Sequence, residues 1–417
     1  MTMKEPNFAS FINSFYASPQ DIITGNAAED YIFSPKLLKG DNLLNMLTNA
    51  ITTFDRPIGE TFCLMEDDLM GRFSSPRKSE YAPSSPFIEN GRLRMRGEEY
   101  EKMLMIPLLM DFSQSQKELD SIYYTYPAED KITPYIEATV EGIDHYYRTR
   151  PDGIFEFYPF AGITPALHSF DFLKNMLSRY INTSHEFHGL HEIPDKPFYG
   201  IKVYPPLGFD PWPNDYETLK KHRYLYEFCE SNRIPIITHC DDQGFRGVPA
   251  KEAWKYTDPA SWRTVLENYP GLRLDLAHFG RQYAISADKN IYSISARMKM
   301  LPSSPWFRSA AELMQEFDGV YADLSFSGCQ DDFYIRLNNY IGTLEGSAKE
   351  KFLSRILFGS DFSINLLKVE SYTEYYSILE GSPLSDEDIR RFTEDNILTF
   401  LDLHEKEDKS RRPRLLR

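Results

Sequence analysis

Two histidines, two aspartates and a lysine recur along this chain at nearly even intervals. Lys202 lies in GIKVYP, His239 in ITHC, His278 in LAHFG, Asp323 in GVYADLS and Asp361 in GSDFS. Consecutive members are 37, 39, 45 and 38 residues apart. Each closes a short apolar run, which predicts a place at or near the C-terminal end of a strand. An interval of that size accommodates one strand, one helix and their loops. Imidazole nitrogen and carboxylate oxygen are ligands of Zn²⁺, Mn²⁺ and related ions. Gathered in one cup, these side chains would hold an ion that acidifies water or polarises a carbonyl. A further histidine or aspartate would then move the proton.

Each residue also has an ordinary structural role open to it. His239 could be a hydrogen-bonded rim fixture, and His278 could bond a neighbouring strand end. Asp361 could cap the next helix. Asp323 could cap or pair with a cation, and Lys202 could pair with a rim carboxylate. Cys240 is predicted to face away from His239, because side chains alternate along a strand. Arg246 in DDQGFRG and Arg281 in FGRQ follow the two histidines. Either can receive a substrate carboxylate through a bidentate contact, or join a surface ion pair of little worth. His185, His188 and His191 in HEFHGLH have ligand-like spacing, but their Pro, Gly and Asp neighbours read as a polar loop.

The elements that must position these residues alternate. Strands are predicted in 102–113, 153–162, 198–209, IPIITHC, 272–280, 319–328 and 355–363. Helices are predicted over 133–152, 169–182, 215–233, 261–270, 310–317 and 385–401. Strands separated by helices imply βαβ units and a parallel sheet. No GxGxxG or GxxxxGK[ST] occurs, which removes the fingerprint of an open dinucleotide-binding sheet. The expected fold is therefore α/β, a distorted (β/α)8 TIM barrel. Residues 102–403 supply seven of its strands, 1–101 form an N-terminal extension holding or replacing the first, and 404–417 are a charged tail. Within the extension, FASFINSFY and NLLNMLTNAITTF read as helical. The Ser/Pro/Arg stretch 72–91 reads as a surface insertion.

Composition narrows the function. With 46 Lys+Arg against 62 Asp+Glu, the net charge is −16, which disfavours nucleic acid or an anionic membrane as partner. The apolar run 103–110 is too short to span a bilayer, and the N-terminus lacks the apolar core of a secretory signal. Four cysteines without CxxC spacing suggest free thiols and a cytoplasmic location. The 27 Tyr and 29 Phe suit a large core with pockets for a small-molecule substrate, and the insertions suit a homo-oligomer.

GIKVYPPLGF, IPIITHC, LRLDLAHFG, ILFGSDFS and DNILTFL resemble, in this order, blocks of the amidohydrolase superfamily. The branch they resemble is amidohydrolase-2, which includes aminocarboxymuconate-semialdehyde decarboxylase and related hydrolases. The resemblance covers about residues 100–403. It implies His239 and Asp361 as ligands of a divalent metal, zinc first and manganese second. It implies His278 as an acid/base or electrophilic residue, or as a ligand if two metals bind; Asp361 is a further catalytic candidate. Other branches of the superfamily carry a metal-bridging carboxylated lysine near the position of Lys202, so Lys202 and Asp323 are further candidates for metal or substrate. The sequence departs from the family at the first strand, which elsewhere carries a His-x-His pair. This chain has no histidine before His145, and Glu29 and Tyr31 in AAEDYIFS could hold the equivalent places. The expected activity is metal-dependent hydrolysis of a small amide, ester or lactone. A metal-free lactonase or binding protein, and a decarboxylase of the same family, are the alternatives.

Overall fold

The computed structural model describes residues 56–72, 86–113, 132–188, 191–242, 244, 248–282, 304–329 and 331–403. Glu29, Tyr31, Arg246, the two expected N-terminal helical segments and the tail 404–417 lie outside these residues.

The first described helix, α1, spans Ile58–Leu69 and leads to a three-stranded antiparallel meander. Its strands are β1 (Ile88–Glu89), β2 (Arg92–Met95) and β3 (Glu98–Tyr100). Both hairpin turns use left-handed residues: Asn90 and Gly91 at φ 54° and 71°, Arg96 and Gly97 at φ 50° and 83°. That conformation matches the twist of the flanking strands. The expectation of a surface insertion over 72–91 is corrected at its end, because Phe87 and Ile88 are buried in the core. Alternation along the meander sends Leu93 and Met95 to the same side as Ile88, so this segment is held by apolar burial.

The remaining strands run parallel and neighbour one another in chain order. β4 (Met103–Met105) pairs with β5 (Phe155–Phe157), following helix α2 (Ile132–Thr149). The chain passes Tyr158 and Pro159 into β6 (Phe160–Gly162), where Leu108 bridges to Phe160. Proline offers no donor to a ladder, which accounts for the break between β5 and β6. After α3 (Phe170–Tyr180), β6 pairs with β7 (Gly200–Val203). After α4 (Tyr216–Ser231), β7 pairs with β8 (Ile236–Asp241). Helices α5 (Ala250–Thr257) and α6 (Arg263–Asn268) lead to β9 (Leu274–Arg281), paired with β8. Then α7 (Pro305–Glu316) leads to β10 (Val320–Asp323). Helices α8 (Asp331–Ile341) and α9 (Gly346–Leu353) precede β11 (Ile356–Leu357). The described residues thus give seven consecutive staves of a (β/α) barrel, the fold class expected from the alternating pattern.

Helix starts follow local chemistry. Ser169, Asp215, Ser304 and Ser371 each accept an N–H from the first turn, contacts worth about 1 kcal/mol apiece. Ser304 followed by Pro305 starts α7 five residues earlier than the sequence pattern suggested. Beyond α10 (Tyr372–Glu380), the single helix expected over 385–401 is divided. It comprises α11 (Asp386–Arg390), a π-helical turn at Arg391–Asp395 and α12 (Asn396–Leu401).

Alternation sorts the staves into two faces. Ile201, Val203, Ile236, Cys240, Leu274, Leu276, Val320 and Ala322 point outward into the larger core shared with the helices. Leu104, Ile106, Phe160, Ile237, Ala277, Tyr321 and Leu357 point inward and form a separate cluster. The ring of Phe160 fills the space where Gly200 would carry a Cβ, 2.2 Å from the nearest ring carbon, so only glycine fits. Phe400 and Leu401 of α12 join this inner cluster from its N-terminal end, and Asp402 is ion-paired to Arg233 at 2.6 Å and Arg273 at 3.1 Å. An apolar interior closed at its floor leaves the C-terminal rim as the place where polar groups converge.

Candidate metal centre at the barrel rim

The inward positions that follow the apolar layer are polar. On β8, Ile237 faces inward and so do His239 and Asp241, two and four residues on. Cys240 packs into the outer core, as alternation predicts. His239 Nε2 lies 3.1 Å from Asp241 Oδ1. On β9, Asp275 and Ala277 face inward. The chain then turns left-handed through His278, Phe279 and Gly280, at φ 71°, 58° and 62°. His278 and Phe279 are strained in that conformation while Gly280 is not, and strain of this kind is tolerated where it aims a side chain. A Cβ on Gly280 would meet the Trp306 carbonyl at 2.7 Å, so the turn is pressed against the start of α7.

The turn brings His278 Nε2 to 3.2 Å from His239 Nδ1. Its other ring nitrogen is 2.9 Å from Ser325 Oγ and 3.1 Å from Ser325 O. Asp323, at the end of β10, accepts three hydrogen bonds at Oδ1: from the His278 and Ser325 backbone N–H groups at 2.9 Å each, and from Ser325 Oγ at 2.5 Å. Asp323 therefore positions the β9 turn and, through Ser325, the His278 ring. Asp361 follows β11 at φ 55°. The next 3₁₀ turn, Ile364–Leu367, begins after Ser363 without a side-chain cap, so Asp361 does not serve as its N-cap.

The electrostatics tie these groups together. Burial pushes the His239 imidazole below its ordinary value, which favours the neutral ring that a ligand requires. Burial raises the Asp361 carboxyl to about 6, while His278 and Lys202 pull it down and Asp241 and Asp323 push it further up. Lys202 reaches into the same space from β7. Burial lowers its amine, and Asp323, Asp361, Asp275 and Asp241 oppose that shift. Asp275 is held well above the carboxylate range by burial and by the charge of Asp323, which favours the protonated acid. Tyr204 closes the layer, its ring 4.7 Å from that of His239.

The donor atoms of His239, Asp241 and His278 lie within 4.8 Å of one another, all three residues buried. Two imidazoles and one or two carboxylates suit a divalent transition metal, so the residues present fit such an ion. Asp241 extends the set expected from sequence. Its signal was available, since it is two residues beyond His239 in one strand and must share its face.

The other candidates are dispersed. His185, His188 and His191 each bond a different backbone carbonyl: Asn232 at 2.7 Å, Phe157 at 3.1 Å and Gly153 at 3.0 Å. They do not converge. Arg281 closes β9 opposite Asp241 in the ladder and donates to the Ser327 carbonyl at 3.1 Å. On the first described stave, Met110 and Phe112 pack with Tyr204 and Leu207. No histidine stands there. Asp111 faces the other way, accepting from the Thr164 N–H at 2.8 Å and bonded to His168 Nε2 at 2.7 Å.

Parallel staves in sequential order, with buried His and Asp side chains at their C-terminal ends, define a TIM-barrel protein with its polar centre at the catalytic rim. The sequence pattern of the amidohydrolase family matches residues 191–403, just over half of the chain, and the chain belongs to that family. The family is one of metal-dependent enzymes, and this chain is an enzyme of that kind.

Several solved structures are similar at low identity. The 5-carboxyvanillate decarboxylase of Novosphingobium aromaticivorans, solved with manganese and 4-hydroxy-3-methoxy-5-nitrobenzoic acid, is 12% identical with a TM-score of 0.41. The match covers 72% of this chain and 76% of the decarboxylase. A probable 2-pyrone-4,6-dicarboxylic acid hydrolase from Acinetobacter baumannii, with citric acid bound, is 11% identical with a TM-score of 0.40. That match covers 72% of this chain and 99% of the other. An amidohydrolase from Mycobacterium avium subsp. paratuberculosis is 15% identical with a TM-score of 0.33, covering 64% of this chain and 65% of its own. No curated protein matches the chain. Among the described residues, no helix is long and apolar enough to cross a membrane.

Proposed function

We propose that the protein is a metal-dependent hydrolase acting on a small amide, ester or lactone at the C-terminal rim of the barrel. The observation that carries this reading is the convergence of His239, Asp241 and His278 donor atoms within 4.8 Å, with the Asp361 carboxyl electrostatically linked to His278 and Asp241. His239, Asp241 and Asp361 would hold the ion, zinc by preference for imidazole and manganese as the carboxylate-tolerant second choice. When bound, such an ion supplies Lewis acidity to water or to a substrate carbonyl.

The remaining work belongs to the chain's own residues. His278 is oriented by Ser325 at one ring nitrogen and presents the other to the centre, so it can take up or return a proton there. Without an ion, burial raises the Asp361 carboxyl to about 6, so taking up the ion near neutral pH would release a proton that Asp361 holds in part. Tyr204, packed with Met110 and Phe112 from the end of the first described stave, sets an apolar wall beside His239. A decarboxylase of the same family is the second reading. It is favoured by Met110 and Phe112, since an apolar wall beside the centre suits loss of carbon dioxide without added water.

Bound metal in protein purified without chelator, beside a His239→Ala/Asp361→Ala double variant, tests the reading. Near-stoichiometric zinc or manganese in the wild type, lost in the variant, is the expected result. No metal after incubation with excess ion would refute it and leave a metal-free barrel.

A further inference from the structure

We propose that Ser325 is a positioning residue that keeps the proton of neutral His278 on Nδ1, so that this histidine meets the reaction centre only as an acceptor, at Nε2. This rests on the reading of the rim as the reaction site, and adds to it the direction in which His278 passes a proton. It must take one before it can give one. The electrophilic role, in which an Nε2–H bonds a substrate oxygen from the outset, is thereby set aside.

Two oxygens of one residue surround Nδ1. The Ser325 carbonyl lies 3.1 Å away and the Ser325 hydroxyl 2.9 Å away. A carbonyl oxygen only accepts, so that contact needs a proton on Nδ1. The hydroxyl has one proton, and it is committed elsewhere, because Ser325 Oγ donates to Asp323 Oδ1 at 2.5 Å. The same Oδ1 accepts the backbone N–H groups of His278 and Ser325 at 2.9 Å each. An oxygen that takes two N–H bonds belongs to an ionised carboxyl and has no proton to return to the serine. With its hydrogen turned to Asp323, Oγ offers Nδ1 lone pairs alone. Both contacts therefore require Nδ1–H, and a neutral imidazole has only one proton to place.

Asp275 keeps Asp323 in that role. Burial and the charge of Asp323 favour Asp275 as the protonated acid, so the proton of this acid pair stays on Asp275 and Asp323 remains the acceptor. Asp275, His278, Asp323 and Ser325 are all buried, which leaves bulk water little access to rearrange these bonds. On the other side of the ring, Nε2 faces His239 Nδ1 at 3.2 Å. In the hydrolytic reading the Nε2 lone pair takes a proton from water as that O–H bond breaks. The ring becomes an imidazolium whose Nδ1–H stays on Ser325, and the proton later leaves from the same Nε2 to the departing group.

Nuclear magnetic resonance of the full chain, with isotope-labelled histidine nitrogens and Zn²⁺ added, reads the proton's place, because bare and proton-bearing ring nitrogens resonate far apart. Loss of signals in His278→Gln identifies this ring. The wild type should show a His278 proton on Nδ1 that exchanges slowly with water. Ser325→Ala removes one of its two acceptors, and that exchange should quicken about fivefold or more, the worth of one hydrogen bond. Ser325→Thr, which keeps a hydroxyl, should restore the slow rate. His222, whose Nδ1 meets the Thr218 carbonyl at 2.9 Å in α4, is the internal reference and should not change. A proton on Nε2 with a bare Nδ1 in the wild type overturns the proposal, whatever the variants do. An unchanged rate in Ser325→Ala, or equal quickening at His222, overturns it as well. Metal content of the same samples separates the two readings. Zinc bound with the proton on Nε2 sinks this proposal alone, whereas Nδ1–H in protein that takes up no zinc sinks the metal reading alone.

Discussion

His278 Nε2 and His239 Nδ1 face each other across 3.2 Å, with their rings at 68°. Two imidazole nitrogens at that separation share either a proton or an ion, because two lone pairs alone would repel. His239 is favoured neutral by burial, and its second nitrogen meets Asp241 at 3.1 Å. The pair therefore reads as one unit whose state depends on what sits between the rings. Two expectations follow from the groups that hold or surround it, and a third from a histidine buried elsewhere, in α4.

Gly244 stands at φ 105°, and a Cβ there would lie 2.4 Å from Tyr204 Oη and 3.0 Å from His239 Nε2. Gly244→Ala combines backbone strain of order 1–3 kcal/mol with displacement of both rings. We expect a lower thermal midpoint and at least about a tenfold loss of metal affinity, read by competition with a chelating dye. A variant matching the wild type in both would show that the loop yields without moving His239.

Lys202 supplies the cation among Asp241, Asp275, Asp323 and Asp361. Lys202→Met leaves those carboxylates facing one another, and removing one partner of a buried charged set costs about 3–5 kcal/mol. Urea unfolding of metal-free protein at pH 8 should show that loss. The loss should shrink at pH 5, below the value of about 6 to which Asp361 is raised, since a protonated carboxyl no longer needs the cation. An equal loss at both pH values would assign the effect to packing instead.

His222 is buried in α4, bonded to the Thr218 carbonyl at 2.9 Å, and its pKa is lowered by burial from 6.5 to about 4. A depressed folded value means that stability is full above the unfolded pKa and falls as pH drops from about 6.5 toward 4. The loss amounts to about 3 kcal/mol at the lower end. His222→Phe should flatten the unfolding free energy across that window by the same amount. A variant whose acid sensitivity equals that of the wild type would contradict the assignment to this histidine.

Much of this was legible in the sequence because barrel staves carry their chemistry at one end. An apolar run closing on His239 or His278 announces both a strand and a site. Asp241 and Asp275 were readable by the same alternation, but each looked like ordinary acidity beside a histidine. The meander at 88–100 was signalled by Asn90-Gly91 between alternating residues, a hairpin signature that the surrounding Ser and Pro obscured. Ser325 gave no such announcement. A serine past a strand end is commonplace, and only the fold turns its carbonyl and hydroxyl to the His278 ring.

The floor of the barrel is made from the far end of the described chain. Phe400 and Leu401 fill it, and Asp402 fastens it to Arg233 and Arg273. A ribosome delivers the staves one after another, yet their inward faces remain wettable until these residues emerge. The nascent barrel therefore waits, its inner aromatic layer exposed, for a segment translated roughly forty residues after the last stave. Closure of the inner layer is thereby deferred until well after the last stave has been made.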